Sequence, residues 1–209
     1  MAAYHTADVV AAMNLGMSAV ESGKYRLTEI DSMAGDGDLG TSIVTGVQAI
    51  RPIMEGYQAA PIGPLFKQCG LVFNQAAPST MGTLIGMAMM ALGQRWQDAE
   101  ELSEAQVVEA PRVLADAIAR LGKAKQGDNT ILDALYPFAD ALEKSFEQTG
   151  DLRKSFADAR ETAREAMEAT AGMAAAVGRA RWLGERATGV VDGGALLCVM
   201  VLDALGKEA

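Results

Sequence analysis

Histidine is nearly absent from this chain: His5 is the single instance among 209 residues. Imidazole is the usual acid–base group and a common metal ligand near neutral pH. His5 sits ahead of the first predicted helix, where a frayed terminus is expected, so the chain offers no phosphohistidine and no second imidazole for proton transfer. Cysteine is almost as rare. Cys69 and Cys198 lie in apolar surroundings outside any CxxC spacing, which reads as buried reduced thiols and not as a disulfide or thiolate metal site. Basic residues are outnumbered, 18 Lys and Arg against 27 Asp and Glu, and the net charge of −9 comes with no basic run. Binding to a phosphate backbone needs clustered cations, so nucleic acid is excluded as a partner. No run of about 18 uncharged apolar residues is present to span a bilayer. The opening "MAAYHTADVV" lacks the basic region and cleavage pattern of a secretory signal. No membrane association and a cytoplasmic location are expected. Neither a P-loop GxxxxGK[ST] nor a protein-kinase HRD/DFG set occurs, so any nucleotide chemistry lies outside those two designs.

What the chain does have is helix-forming sequence. Ala, Leu, Met, Glu and Arg dominate long stretches with apolar residues three and four apart, the period of an amphipathic helix. The expectation is an all-α single domain over residues 1–209, a size that can bury a substantial core. Helices are predicted near 7–30, 40–57, 64–76, 80–97, 103–121, 128–148, 152–176 and 193–208. Ser103 with Gln106 makes a capping-box pattern, Asp151 follows Gly150, Asp128 precedes an apolar run, and Pro61 and Pro64 bracket a turn. Met87, Met89 and Met90 read as core filling, and Trp96 and Trp182 as packing residues.

Short connections make successive helices antiparallel, so every second loop falls at the same end of the bundle. The loops after the first, third, fifth and seventh predicted helices are "DSMAGDGDLGTS", "AAPST", "GKAKQGDN" and "GRARWLGERATGVVDGG". These carry most of the loop Gly, Asp, Ser, Thr and Arg, and each delivers a helix N-terminus, with its unpaired N–H groups, to one rim.

The first of them crowds Asp31, Asp36 and Asp38 among Gly35, Gly37 and Gly40. Three hard oxygen ligands with no His or Cys nearby favour Mg²⁺ or Ca²⁺ over zinc or copper. An EF-hand is excluded, because counting from Asp36 puts Gly40 and Val47 where ligands should be. Magnesium, held by a few carboxylates with phosphates and waters completing its shell, suits a site the protein leaves incomplete. The bland alternative is an exposed acidic turn with Asp38 or Thr41 capping a helix. In "PSTMGT", Ser79 and Thr80 stand at a helix start, where they serve either as caps or as hydroxyl donors to phosphate. Arg179, Arg181 and Arg186 gather beside Asp192, Gly193 and Gly194. They suit bidentate phosphate recognition or form a solvated turn.

Taken together, "GDGDLGTS", "PSTMGTLIG", "GKAKQGDNTILDAL" and "GRARWLGERATGVVDGGA" resemble, in order and spacing, the signature loops of the nucleotide-binding L subunit of bacterial dihydroxyacetone kinases. The resemblance runs through nearly the whole chain. It implies an eight-helix antiparallel up-and-down barrel whose rim binds ADP or ATP through two Mg²⁺ ions. By position in the family, Asp31, Asp36 and Asp38 would be the metal ligands. Leu39, Gly40, Thr41, Ser42, Ser79, Thr80, Gly122, Ile131, Arg179, Asp192, Gly193 and Gly194 would line the nucleotide, with Arg179 near the phosphates as the candidate catalytic residue. The family often has His where this chain has Leu39, commonly Lys at Asn129, and "DPG" where residues 192–194 read "DGG".

The resemblance further implies a kinase subunit acting on dihydroxyacetone or a related small ketose such as erythrulose, the sugar being held covalently by a histidine of a separate K subunit. Two phosphoryl donors fit: ADP retained and recharged by a phosphotransferase-system M subunit, or ATP exchanging from solution. A homodimer is compatible with it. The alternative function is a non-catalytic nucleotide-binding adaptor that regulates a transcription factor through the same rim, and the plainest is a helical scaffold without nucleotide affinity.

Overall fold

In the computed structural model, residues 2–57, 61–177 and 189–207 are described. Eight α-helices form among them: α1 (Thr6–Ala34), α2 (Leu39–Gly56), α3 (Ile62–Ala76), α4 (Thr80–Arg95), α5 (Glu104–Gly122), α6 (Leu132–Thr149), α7 (Leu152–Ala169) and α8 (Gly193–Leu205). Their starts follow from local chemistry. Ser103 Oγ accepts from Gln106 N–H while the Gln106 side chain accepts from Ser103 N–H, the predicted capping box. Asp151 accepts from Lys154 N–H at 3.0 Å. Each such cap stabilises its helix by about 1 kcal/mol. Gly150, at φ 64°, ends α6 in the left-handed conformation.

The helices close into a ring in which each packs on the next and α8 returns to α1. Cross-contacts show that neighbours run antiparallel. Arg51 of α2 pairs with Glu21 of α1, and Gly46 of α2 lies against Phe73 of α3. Arg95 of α4 pairs with Glu109 of α5. Arg112 of α5 reaches Glu143 and Asp140 of α6, Ser145 of α6 bonds Asp158 of α7, and Arg164 of α7 holds Asp203 of α8. The α3–α4 seam is the tightest, because glycines face each other across it. A Cβ at Gly70 would stand 2.5 Å from Gly86 O, and one at Gly93 would stand 2.7 Å from Gly63 O.

The apolar faces fill the ring. One cluster centres on Phe138, Leu132 and Leu142 with α8, another on Leu27, Ile43, Met54 and Leu65, all essentially without exposure. Phe138 meets Phe156 edge-on at 5.2 Å, and Phe66 meets Trp96 in the same way at 5.4 Å. Burying each such side chain stabilises the fold by roughly 1.5–3 kcal/mol. Cys69 and Cys198 are both free and buried. Among the described residues no helix is long and apolar enough to cross a membrane.

The structure departs from expectation in a few places. His5 does not fray: Ala3–His5 (β1) pairs antiparallel with Glu101–Ser103 (β2), and His5 N–H donates to Asp8 as α1 begins. This ribbon seals the end away from the predicted rim, with Leu102 buried against Ile62, Phe66 and Trp96. Helix α6 starts at Leu132, not at 128, because Asp128 closes a turn onto Lys125 N–H instead of capping. Helix α7 ends at Ala169 and tightens into a 3₁₀ turn over Thr170–Gly172. Met87 is 39 % exposed, since Gly82, Gly86, Ala88, Leu92 and Gly93 take the buried positions of α4. Trp182 lies outside the described residues.

Candidate functional site at the helix rim

The antiparallel ring sends the N-termini of α2, α4, α6 and α8 to one end. Each brings the positive end of a helix dipole, although at α6 the first-turn N–H groups are already taken, by Thr130 and Ile131. The described parts of the four connections predicted to share a rim meet there. Ser42 Oγ of α2 lies 2.6 Å from Ser79 Oγ at the start of α4. Asn129 Nδ2, after α5, donates to Met173 O, beyond α7, at 3.1 Å. A Cβ on Gly194 of α8 would stand 3.0 Å from Ile131 Cβ and 2.8 Å from Met81 Cε. Glycine at 194 is therefore what allows α8 to approach α4 and the α5–α6 loop so closely.

Asp31 projects from the last turn of α1, and the chain then reverses through Gly35 to Asp38, with Gly37 at φ +75°. The reversal is held by Leu39 N–H, which donates to Asp31 Oδ2 at 3.1 Å. Asp31, Asp36 and Asp38 each offer a carboxylate oxygen, and these lie within 4.8 Å of one another. At that spacing like charges oppose each other by about 1–4 kcal/mol per pair at the effective dielectric of a protein surface. Asp38 stands at the N-cap of α2 without a side-chain capping bond, and Asp36 and Asp38 are exposed. An all-oxygen donor set of this size, half-open to solvent, fits Mg²⁺, which keeps sites for water and phosphate.

Other predicted residues fall into distinct roles. Ser79 Oγ accepts from Gly82 N–H at 3.0 Å, capping α4, while also facing Ser42. Thr41 and Thr80 are exposed on the first turns of α2 and α4. Gly40 is buried where α2 crosses Lys24 and Thr28 of α1, leaving no room for a side chain. Leu39 is only 7 % exposed and packs into the core, so just its main chain reaches the rim. Gly122 ends α5 beside Leu84, and Ile131 is buried at the start of α6. Gly193 lies against Leu39, where a Cβ would stand 2.8 Å from Leu39 Cδ2.

Asp192 caps α8, accepting from Ala195 N–H at 2.7 Å. Burial pushes its carboxyl up to about 7; the bond from Ala195 opposes that, and the neighbouring Asp133 and Asp31 add to it. Arg179, with Arg181 and Arg186, lies outside the described residues.

Two residues of the rim were not anticipated. Thr170 is fully buried and its Oγ accepts from Asp192 N–H at 2.9 Å, tying the end of α7 to the start of α8; nothing in its sequence context signals this. Asp133 is 2 % exposed and accepts from Gly127 N–H at 2.5 Å and Thr130 N–H at 2.7 Å. The available signal was the Thr130-x-x-Asp133 spacing, one form of the capping box.

A family model described as the DAK2 domain matches residues 33–207. The chain is 37% identical over 206 residues to an L-erythrulose 1-kinase of Mycolicibacterium smegmatis, covering 96% of this chain and 35% of that one. It is 28% identical over 183 residues to the ADP-binding subunit DhaL of the PEP-dependent dihydroxyacetone kinase of Escherichia coli, covering 88% of this chain and 87% of that subunit. Among solved structures, the dihydroxyacetone kinase of C. freundii in complex with AMP-PNP and Mg²⁺ superposes with a TM-score of 0.75 at 25% identity, over 97% of this chain and 34% of the other. The chain thus spans about a third of the length of the erythrulose kinases it matches.

Proposed function

The chain belongs to the DAK2 domain family, and from that premise we propose that residues 1–209 act as one nucleotide-binding domain of a small-ketose kinase, passing a phosphoryl group to a sugar held on a partner. The observation that carries this reading is the meeting of three carboxylates within 4.8 Å at a rim formed by four helix N-termini. Such a rim joins an anion-attracting surface to a cation-attracting one, and a nucleotide with its divalent ions is the ligand class that needs both.

Asp31, Asp36 and Asp38 would hold two Mg²⁺, which when bound neutralise phosphate charge. The chain's own groups do the rest. The N–H ends of α2, α4 and α8 face the phosphates, and the hydroxyls of Ser42 and Ser79 donate to their oxygens. These donors are fixed before the ligand arrives, so little reorganisation accompanies charge build-up in transfer. Gly122, Ile131, Gly193 and Gly194, with Asp192, line the nucleotide. Leu39, Gly40, Thr41 and Thr80 contribute their main chain and the exposed hydroxyls. Arg179 serves the phosphates as the catalytic residue by family position. With His5 at the far end of the barrel in the β1–β2 ribbon, the chain has no imidazole at the rim to hold a sugar, which supports a separate sugar-binding K subunit or domain docking on this face.

The first matches are named as kinases of L- or D-erythrulose, which supports a tetrose ketose as substrate beside dihydroxyacetone. Calorimetry of ADP with and without Mg²⁺, on the parent chain and on Asp36→Ala, tests the site. Binding should require Mg²⁺ and weaken about tenfold or more in the variant; equal affinity in every titration would overturn the reading. Transfer is then assayed with a K subunit and a panel of trioses and tetroses. Repeated turnover on ATP alone assigns ATP as donor, whereas dependence on a phosphorylated M subunit assigns retained ADP. Binding without transfer to any sugar would point to the adaptor instead.

A further inference from the structure

We propose that Asp133 is a positioning residue for the nucleotide, its buried carboxylate shaping the α5–α6 rim loop into the form the ligand meets. The proposal rests on the reading of the rim as a nucleotide site. The loop from Lys123 to Ile131 is not one the backbone adopts by itself: Lys123, Gly127 and Asn129 have φ of +51°, +95° and +61°. Two of these are not glycine, and such conformations persist only where surroundings over-determine them.

Packing does not hold the loop on its outer side. A Cβ on Gly127 would meet nothing within 4 Å, and Gly127 and Asp133 border a cavity of about 390 Å³ between α6 and α7. Hydrogen bonding holds it instead. One oxygen of Asp133 accepts from Gly127 N–H at 2.5 Å and the other from Thr130 N–H at 2.7 Å. The loop thereby delivers Ile131 to the N-terminus of α8. Asp128 and Asn129, between the two bonded amides, brace residues 173–176: Asp128 O accepts from Ala176 N–H, and Asn129 donates to Met173 O.

Only a carboxylate suits this arrangement. It presents two acceptor oxygens on a rigid fork and no donor, while an amide of the same size has one acceptor and would turn its NH₂ against a backbone N–H. Asp133→Asn therefore keeps the volume and loses one of the two loop bonds. A role confined to capping α6 would lower stability alone; a positioning role lowers nucleotide affinity in protein that is still folded.

The test titrates ADP in the presence of Mg²⁺ into the full chain, into Asp133→Asn and into Asp151→Ala, below the melting temperature of each. Asp151 caps α7 at the opposite end of the barrel, so its loss controls for a missing capping bond. Asp133→Asn should bind about tenfold or more weakly, with Asp151→Ala unchanged although its Tm also falls. In transfer assays KM for nucleotide should rise more than kcat falls. Parent-like affinity in Asp133→Asn overturns the proposal and leaves the nucleotide reading intact; a parent chain that binds no ADP overturns both. Should Asp133→Asn not fold, amide hydrogen exchange in the parent decides. Slower exchange at Gly127 and Thr130 on adding ADP with Mg²⁺ supports the proposal, and unchanged exchange overturns it.

Discussion

Replacing Asp192 by Asn isolates an electrostatic penalty at the start of α8. The side chain caps the helix through one oxygen, to Ala195 N–H at 2.7 Å, and an amide oxygen can accept the same bond, so the substitution changes charge with little change in shape. Burial, reinforced by Asp133 and Asp31, raises the carboxyl from 3.8 to about 7. A difference of roughly 3 units at 1.36 kcal/mol per unit amounts to about 4 kcal/mol. The sign follows from proton counting. Between the two values the folded protein keeps the proton that the unfolded chain has released, so unfolding loses a proton and stability falls as pH rises. This contribution is fully present below 3.8, is lost as pH climbs through about 7, and is level above that. Urea unfolding of the parent and Asp192→Asn, followed by far-UV circular dichroism across this range without divalent ions, should give curves that nearly coincide near pH 4. They should diverge to about 4 kcal/mol in favour of the variant near pH 8. A constant offset at every pH would refute the reasoning, because it would mean that this carboxyl ionises in the folded state as readily as in the unfolded one.

Two further outcomes test the barrel itself. Gly86→Val places a side chain where Gly70 O lies 2.7 Å and Asn74 Cβ 2.8 Å from the new Cβ, and should cost about 1–3 kcal/mol in urea unfolding or more; a neutral result would mean that α3 and α4 are not in backbone contact. Burial pushes the thiols of Cys69 and Cys198 up to about 11 and about 12, so a thiol-specific disulfide reagent near neutral pH should find no reactive group in native protein and both thiols once it is unfolded. Prompt native reaction would contradict the packing of α3 and α8.

The helices were legible because each carries its own apolar stripe, and their arrangement was legible because short connections leave few alternatives to antiparallel neighbours. From those two facts the convergence of four distant loops on one rim could be drawn before any coordinate. The β1–β2 ribbon could not. Ala3, Tyr4 and His5 are too few to show alternation, and their partners Ser103, Leu102 and Glu101 lie four helices further along the chain. Met87 reads as core on hydrophobicity alone, but α3 approaches α4 through Gly86 and Gly93, and the buried positions go to those glycines with Gly82, Ala88 and Leu92, leaving Met87 outside. Asp133 shows no such signal of burial, since only the folded loop brings the two backbone N–H groups that satisfy it at 2 % exposure.

Leu39 shows why spacing was more informative at this rim than residue type. Where relatives resembling this chain often carry His, the side chain here turns into the core beside Gly193, while its N–H holds Asp31 and its position opens α2. The rim at that point is therefore main chain, and main-chain donors are indifferent to the side chain that rides on them. The same holds at Gly40, where the Lys24 carbonyl leaves no room for a side chain, and at Gly194, pressed between Met81 and Ile131. What the site asks of the sequence is mainly that glycine be where helices touch and aspartate be where the chain reverses. That is why a run such as "GDGDLGTS" can keep one backbone path with Leu39 in it, the side chain turning into the core and the N–H staying on Asp31.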